Sequence, residues 1–182
     1  SIMKIPIQFR LLLKWKNLFN DLNKSPTVSI SKEGKGVKSV LFLLPENIQD
    51  AKLAHYLVKV DNIEPGYTFG YVCNEKSKNY YPNSSNVKFM TYRDIDLNYF
   101  GTIKSKELLD HIKSINYDAL VDLNTNFCAA TSMLAFEINS KLKIGFDSVI
   151  ASKIYTIVLE QNPEGFLEGN FKMIKRLLGI RI

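Results

Sequence analysis

Apolar residues occur along the chain in short blocks that alternate between two periodicities. The block 37–44 is almost continuously apolar and ends at Pro45, which is typical of a strand buried on both faces of a parallel sheet. The blocks 118–123 and 142–146 repeat this pattern, and apolar residues between the blocks recur every three or four positions, as in helices. This alternation predicts βαβ units, and therefore an open, doubly wound α/β domain with a mainly parallel sheet.

The remaining elements follow from the same two periodicities. Asn47 can cap the first helix of the domain, and Gly179 follows its last helix. Further strands are predicted over 67–73, 87–92 and 154–159, and helices over 48–60, 105–114, 127–139 and 163–178.

An additional amphipathic helix is predicted over 5–22, before the alternation begins. Several basic residues lie on its other faces, and one face is apolar, formed by Ile7, Leu11, Leu12, Trp15, Leu18, Phe19 and Leu22. The polar segment 23–35 indicates a linker. We therefore divide the chain into a basic helix and linker over 1–36 and a Rossmann-like domain over 37–182. The helix could pack on the domain, which is the commoner role of such a stripe, or lie on a membrane surface.

Composition places the chain among ordinary globular proteins. Of its 182 residues, 46% are hydrophobic and 23% charged, which excludes disordered and fibrous classes. It has no apolar run long enough to span a bilayer and no signal-peptide layout at its start. Cys73 and Cys128 lack metal-site spacing, so we interpret both as buried thiols in a reducing compartment. We expect a cytoplasmic protein.

The net charge of +6 is concentrated at the start of the chain. Eight lysine and arginine residues lie in the first 38 positions, against only Asp21 and Glu33. Such a basic segment could bind anionic lipid, nucleic acid or an acidic partner, or could simply be a solvated helix face. The solvated face is the simplest interpretation.

Familiar catalytic motifs are absent from the sequence. It contains no G-x-G-x-x-G, no P-loop, no H-E-x-x-H and no G-x-S-x-G. The two histidines, His55 and His111, both fall in predicted helices beside lysines, and we interpret them as structural. We predict no metal ion and no cofactor.

Two loops at the carboxyl ends of predicted strands are the best candidates for a binding site. In doubly wound sheets, ligands bind beyond these strand ends, at the point where the strand order reverses. One loop follows the first strand, and the other follows the strand 118–123. Their carboxylate, amide and hydroxyl groups suit hydrogen bonds to a sugar or a phosphate, although the same residue types also cap helices without any ligand. The candidate residues are Glu46, Asn47, Asp50, Asn124, Thr125 and Asn126.

A family resemblance rests on two segments of the chain. They are 117–124, Tyr-Asp-Ala-Leu-Val-Asp-Leu-Asn, and 142–146, Leu-Lys-Ile-Gly-Phe. With the helix between them, they resemble the "YDxxIDLQ…riGF" signature of the lipopolysaccharide heptosyltransferases of glycosyltransferase family 9. The first strand leading to Gln49-Asp50 and the closing Leu178-Gly179 also match in position. The resemblance covers residues 38–180 and implies the Rossmann-like, acceptor-side half of a GT-B fold.

By this resemblance, Asp50 corresponds to the catalytic carboxylate of the family, a general base that deprotonates the acceptor hydroxyl. Three departures set the chain apart from the family. Gln49 replaces a glycine, Leu44-Pro45 replaces Lys followed by Thr or Ser, and Tyr56 falls near a family proline. The chain ends at Ile182, before the position of the donor-binding domain, so we expect no activity from it alone.

Three functions follow from these observations. The first is a stand-alone, non-catalytic relative of the heptosyltransferase N-terminal domain, acting as a binding or scaffold module. The second is the acceptor-binding half of a truncated or split glycosyltransferase, which would transfer a hexosyl or heptosyl group from a nucleotide-sugar to a lipopolysaccharide-type acceptor with a separate donor domain. The third is a basic nucleic-acid-binding module. A role in lipopolysaccharide biosynthesis would place the protein at the inner membrane surface.

Overall fold

The described part of the chain contains six strands in one sheet. The computed structural model describes residues 3–19, 36–59, 66–161 and 167–179, with the backbone alone for 17–19. The strands are β1 Ser39–Leu43, β2 Thr68–Asn74, β3 Val87–Tyr92, β4 Ala119–Asp122, β5 Leu142–Phe146 and β6 Ile157–Leu159. Their order is β3-β2-β1-β4-β5-β6, and every neighbouring pair is parallel. The predicted doubly wound α/β class is therefore confirmed.

Helices connect the strands and cover both faces of the sheet. The α-helices are α1 Ile7–Phe19, α2 Ile48–Val58, α3 Lys106–Lys113, α4 Ala129–Glu137, α5 Ala151–Ile154 and α6 Glu168–Leu178. Short 3₁₀ helices cover Glu75–Tyr80 and Asp94–Asp96.

Strand β1 shows why an almost continuous apolar run is needed in the middle of this sheet. Successive side chains of a strand point to opposite faces. Val40 and Phe42 enter the core under α2 and α6, whereas Leu41 and Leu43 enter the core under α1, α3 and α4. Residues 40–43 are therefore buried on both faces of the sheet. A polar side chain at any of these positions would lose its contact with water.

The region 147–156 differs from the prediction. The strand predicted over 154–159 begins only at Ile157, because Ala151–Ile154 forms one turn of helix. Ala151 and Ile154, spaced by three residues, are both buried on one side of that turn. The extended Tyr155 then lies over Gly145, the glycine of β5. The final helix also begins later than predicted, at Glu168, and Pro163 lies outside the described residues.

Helix α1 packs on the domain, but not through the predicted apolar face, because Ile7, Leu11 and Trp15 of that face are exposed. Phe9 and Leu13 are buried, and the ring of Phe9 meets that of Phe127 edge to face at 4.9 Å between centroids. Lys16 pairs with Glu137 of α4, which also accepts a hydrogen bond from Lys113 at 2.7 Å. The predicted linker 23–35 lies outside the described residues. None of the described helices is long and apolar enough to cross a bilayer.

We predict that Gly145→Ala destabilises the domain by about 1–3 kcal/mol, because overpacking shifts the surrounding atoms. An added Cβ would lie 2.3 Å from the ring of Tyr155. Gly169 of α6 is the matched control, since nothing lies within 4 Å of an added Cβ there. Gly169→Ala, in the first turn of α6, should raise the stability by up to about 1 kcal/mol, because alanine has less conformational freedom in the unfolded chain. Urea denaturation measures both changes, and equal effects of the two substitutions would contradict the role given to Gly145.

Candidate functional site

The strand order reverses between β1 and β4, and in doubly wound sheets ligands bind at the carboxyl ends of the strands at such a reversal. We call the space between the loops after β1 and β4 the crevice. After β1 the chain enters α2 on one face of the sheet, and after β4 it enters α4 on the other face. The backbone ladder continues to the edge of the crevice. Leu44 N donates to Val72 O at 2.9 Å, and Leu123 N donates to Leu43 O at 3.0 Å. Both candidate loops therefore start from fixed strand ends.

Asp122, the last residue of β4, is a buried carboxylate beneath the crevice. It is 3% exposed and accepts three hydrogen bonds. Asn124 donates to Oδ1 from its backbone N at 3.0 Å and from Nδ2 at 2.8 Å, and the Tyr155 hydroxyl donates to Oδ2 at 2.7 Å. Burial raises the pKa of Asp122, although its hydrogen bonds oppose the shift. Burial also raises the pKa of Tyr155.

Asn124 faces the interior rather than the solvent. Besides Asp122, its Nδ2 group reaches Leu43 O at 3.4 Å, so the residue joins the loop after β4 to the end of β1. Its side-chain amide is therefore used within the domain, and a contact between Asn124 and a ligand stays a prediction.

Asp50 and Asn126 meet across the crevice although 76 residues separate them. Asn126 Nδ2 donates to Asp50 Oδ2 at 3.0 Å. Asn47 caps α2, since its Oδ1 accepts from Gln49 N at 2.8 Å and from Asp50 N at 3.4 Å. This geometry fixes Asp50 in the first turn of α2, where the helix dipole favours a carboxylate.

Glu46 belongs to a second polar group, on the β2 side of the crevice. Buried Asn74, at the end of β2, donates from Nδ2 to Glu46 Oε2 at 3.2 Å and to Asp94 Oδ1 at 3.0 Å. Lys76 pairs with Asp94, and its hydrogen bond lowers the pKa of that carboxyl. Glu46 is therefore held near the crevice but is not bonded to Asp50 or Asn126.

Thr125 is fixed through its backbone. Gln161, which follows β6, donates from Nε2 to Thr125 O at 2.9 Å. The loop after β4 is thus held at Asn124 and Thr125, and exposed Asn126 extends from it toward Asp50.

The crevice offers carboxylate oxygens and amide groups, which can accept from and donate to the hydroxyl groups of a sugar. Within the described residues, no group of three histidine, cysteine or acidic residues could hold a metal ion. Both cysteines are free thiols; Cys73 is buried, whereas Cys128 is only partly buried. His55 is not in the crevice, because its Nδ1 lies 2.8 Å from Tyr80 O.

A comparison with protein families finds a match over residues 13–180. It is to a family of unknown function, DUF6913. The chain belongs to this family. No protein of curated function matches it.

The fold of this DUF6913 member is similar to that of E. coli heptosyltransferase WaaC. The likeness to WaaC with ADP-2-deoxy-2-fluoro heptose has a TM-score of 0.56 at 18% identity and covers 79% of this chain and 49% of that one. The likeness to WaaC with ADP has a TM-score of 0.53 at 16% identity and covers 79% and 48%. The chain thus spans about half the length of these structures. The similarity confirms the fold relationship implied by the sequence resemblance, but it does not place the chain in glycosyltransferase family 9.

Sequence reasoning missed three residues that shape the crevice. Asp122 carried a signal, since an acidic residue inside a buried apolar strand needs partners. Asn74 could be assigned only from the strand order, which places the end of β2 beside that of β1. Nothing in the sequence indicated that Tyr155 contacts Asp122. That contact depends on the helical turn before Tyr155 and on Gly145 beneath its ring.

Asp122→Asn tests the buried carboxylate through pH. Because the folded pKa is raised, the folded state holds more protons than the unfolded chain between the two pKa values, so the contribution of Asp122 to stability falls as pH rises. We expect the free energy of unfolding of the wild type, relative to that of Asp122→Asn, to be larger at pH 4.5 than at pH 8. Chemical denaturation at both pH values measures this difference.

Asp118 is a control, because its pKa is shifted in the direction opposite to that of Asp122. Its burial is outweighed by hydrogen bonds from the backbone amides of Lys38 and Ser39, at 2.8 and 3.0 Å, so the pKa of Asp118 is lowered. Relative to Asp118→Asn, the wild type should lose stability as pH falls. The same pH trend for both variants would contradict the assignment of Asp122.

Proposed function

We propose that the domain binds a sugar in the crevice between the loops after β1 and β4, as a relative of the acceptor-side half of heptosyltransferases that is not catalytic on its own. The observation that carries the proposal is the pairing of Asp50 with Asn126 at the strand-order reversal. A carboxylate and an amide held 3.0 Å apart present acceptor and donor groups side by side, the pattern that vicinal sugar hydroxyls match.

The fixed floor of the crevice supports this proposal. Asn124 and Thr125 are each bonded within the domain, so the loop need not be ordered when a ligand binds. Avoiding that ordering cost favours affinity for a small polar ligand. Glu46 and Asn47 belong to the loop after β1 and are the remaining candidate contacts with the sugar.

A catalytic role is the second candidate, and the placement of Asp50 favours it. Asp50 is partly exposed in the first turn of α2, at the position that the family resemblance gives to the general base. In this candidate the chain supplies the acceptor site, and a donor domain supplies the nucleotide-sugar, because a two-domain transferase reacts between its halves. The acceptor would be a lipopolysaccharide-type saccharide. No observation favours the nucleic-acid-binding alternative.

Protein-observed NMR of the full chain tests the sugar site. We expect lipopolysaccharide-core heptose and hexose saccharides, at millimolar concentration, to shift amides in 46–50 and 124–126. ADP-sugars should leave these amides unchanged, since the proposal assigns only the acceptor side to this chain. Shifts with ADP-sugars alone, or no shifts with any saccharide, would contradict the proposal.

Two substitutions identify the residues responsible. Asp50→Ala should weaken saccharide binding by roughly ten- to a hundredfold, because a hydrogen bond to a charged group contributes about 1.5–3 kcal/mol. Asn126→Ala should weaken it by roughly three- to tenfold, because a neutral hydrogen bond contributes about 0.5–1.5 kcal/mol. Asp110→Ala and Asn139→Ala are matched controls, since both side chains are exposed and lie outside the crevice. A similar loss in the control variants would indicate binding elsewhere.

Transfer activity that appears only with an added donor domain, and disappears in Asp50→Asn, would favour the catalytic candidate.

A further inference from the structure

The outward face of α1 carries an apolar stripe that is exposed to solvent. Ile7, Leu11 and Trp15 follow one another at intervals of four residues and are 69%, 61% and 58% exposed. The opposite face, through Phe9 and Leu13, is buried in the domain. The helix is therefore held in place by one side while three large apolar side chains, which we call the outer stripe, face the solvent.

Basic residues border the outer stripe. With a rotation of 100° per residue, Arg10 and Lys14 lie along one side of it, and exposed Lys4 precedes the helix. Helix α1 contains no acidic residue. Among the ion pairs of the described residues, none involves Arg10 or Lys14, whereas Lys16 is directed toward Glu137. The outward surface of α1 thus combines apolar area with uncompensated positive charge.

We propose that α1 lies flat on the surface of an anionic phospholipid bilayer, with the outer stripe inserted at the boundary between headgroups and acyl chains. Amphipathic helices with a basic border bind membranes in this way, through buried apolar area and attraction to anionic lipid. Tryptophan favours the same interfacial depth. The 13 residues of α1 span about 20 Å, which gives a peripheral contact and not a spanning one.

The charge pattern favours a bilayer over other occupants. A second copy of the chain, docked stripe to stripe, would bring Arg10 and Lys14 of both copies together. Nucleic acid would attract these cations but would leave the outer stripe exposed, because phosphate contacts dominate that binding. An anionic bilayer satisfies both features at once.

The contact between Phe9 and Phe127 relates this surface to the crevice. Phe127 directly follows Asn126 in the loop after β4, so the beginning of α1 lies at the carboxyl edge of the sheet. A bilayer beneath α1 would therefore be near the crevice. The membrane proposal does not depend on the sugar proposal, since it rests on α1 alone.

Trp15 is the only tryptophan of the chain, so its fluorescence reports on α1 directly. We expect vesicles of equal parts phosphatidylglycerol and phosphatidylcholine to shift its emission to shorter wavelength, and brominated acyl chains to quench it. Vesicles of phosphatidylcholine alone should bind at least tenfold more weakly. No emission change with anionic vesicles at millimolar lipid would overturn the proposal, as would a stripe-dependent dimer that does not bind vesicles.

Paired variants separate the apolar and ionic contributions. Arg10→Gln with Lys14→Gln should lower vesicle affinity by about an order of magnitude. Ile7→Gln with Leu11→Gln should abolish the shift, and both pairs should fold because these side chains are exposed. Tyr56→Gln with Met173→Gln is the control, since it removes exposed apolar side chains from other helices. An equal loss in the control, or unchanged binding in the stripe variant, would overturn the proposal.

Discussion

The carboxylate of Asp122 lies in the interior at the end of β4, with Tyr155 on one side and Asn124 on the other. Removing a carboxylate from water costs several kcal/mol unless donors replace its hydration. Here the donors come from the loop that forms the crevice and from the segment before β6. The hydrogen bonds to Asp122 therefore fix the positions of the loop after β4 and of the segment before β6, and the crevice depends on these hydrogen bonds.

This dependence extends further along the sheet. Tyr155 reaches Asp122 only because Gly145 leaves room for its ring over β5. Asn124, on the other side, extends the connection to the carbonyl of Leu43 and so to β1. A line of contacts thus crosses three neighbouring strands and ends at Leu43 O, in the strand that leads into the loop before Asp50. Ligand groups held on such a fixed frame need little reorganisation on binding.

The two proposed functions use different parts of this architecture. The crevice depends on the sheet and its reversed strand order, whereas the membrane surface depends on α1, which is added to the outside of the sheet. Helix α1 is joined to the domain by Phe9, Leu13 and the ion pair of Lys16 with Glu137. Its apolar outer stripe lies on the opposite, exposed side of the helix. A protein that binds a saccharide at a membrane surface would need both features.

The sequence was sufficient for the strands, apart from the start of β6, because buried parallel strands are apolar runs. The binding edge at their carboxyl ends stays a prediction. The sequence also indicated that Asn47 caps α2. It could not show that Asn124 turns inward, because an asparagine after a strand looks the same whether it serves a ligand or a buried carboxylate. Nor could it show which apolar residues of α1 face the domain, since Trp15 and Phe9 are equally apolar in the pattern.

Comparison of NMR spectra of the wild type and Tyr155→Phe tests most directly whether the crevice depends on Asp122. Tyr155→Phe removes one hydroxyl, 2.7 Å from the carboxylate, and leaves the ring over Gly145. We predict shifts that extend from Asp122 through the side-chain amide of Asn124 to that of Asn126. Shifts confined to residue 155 and its sequence neighbours, with 46–50 and 123–126 unchanged, would contradict this account.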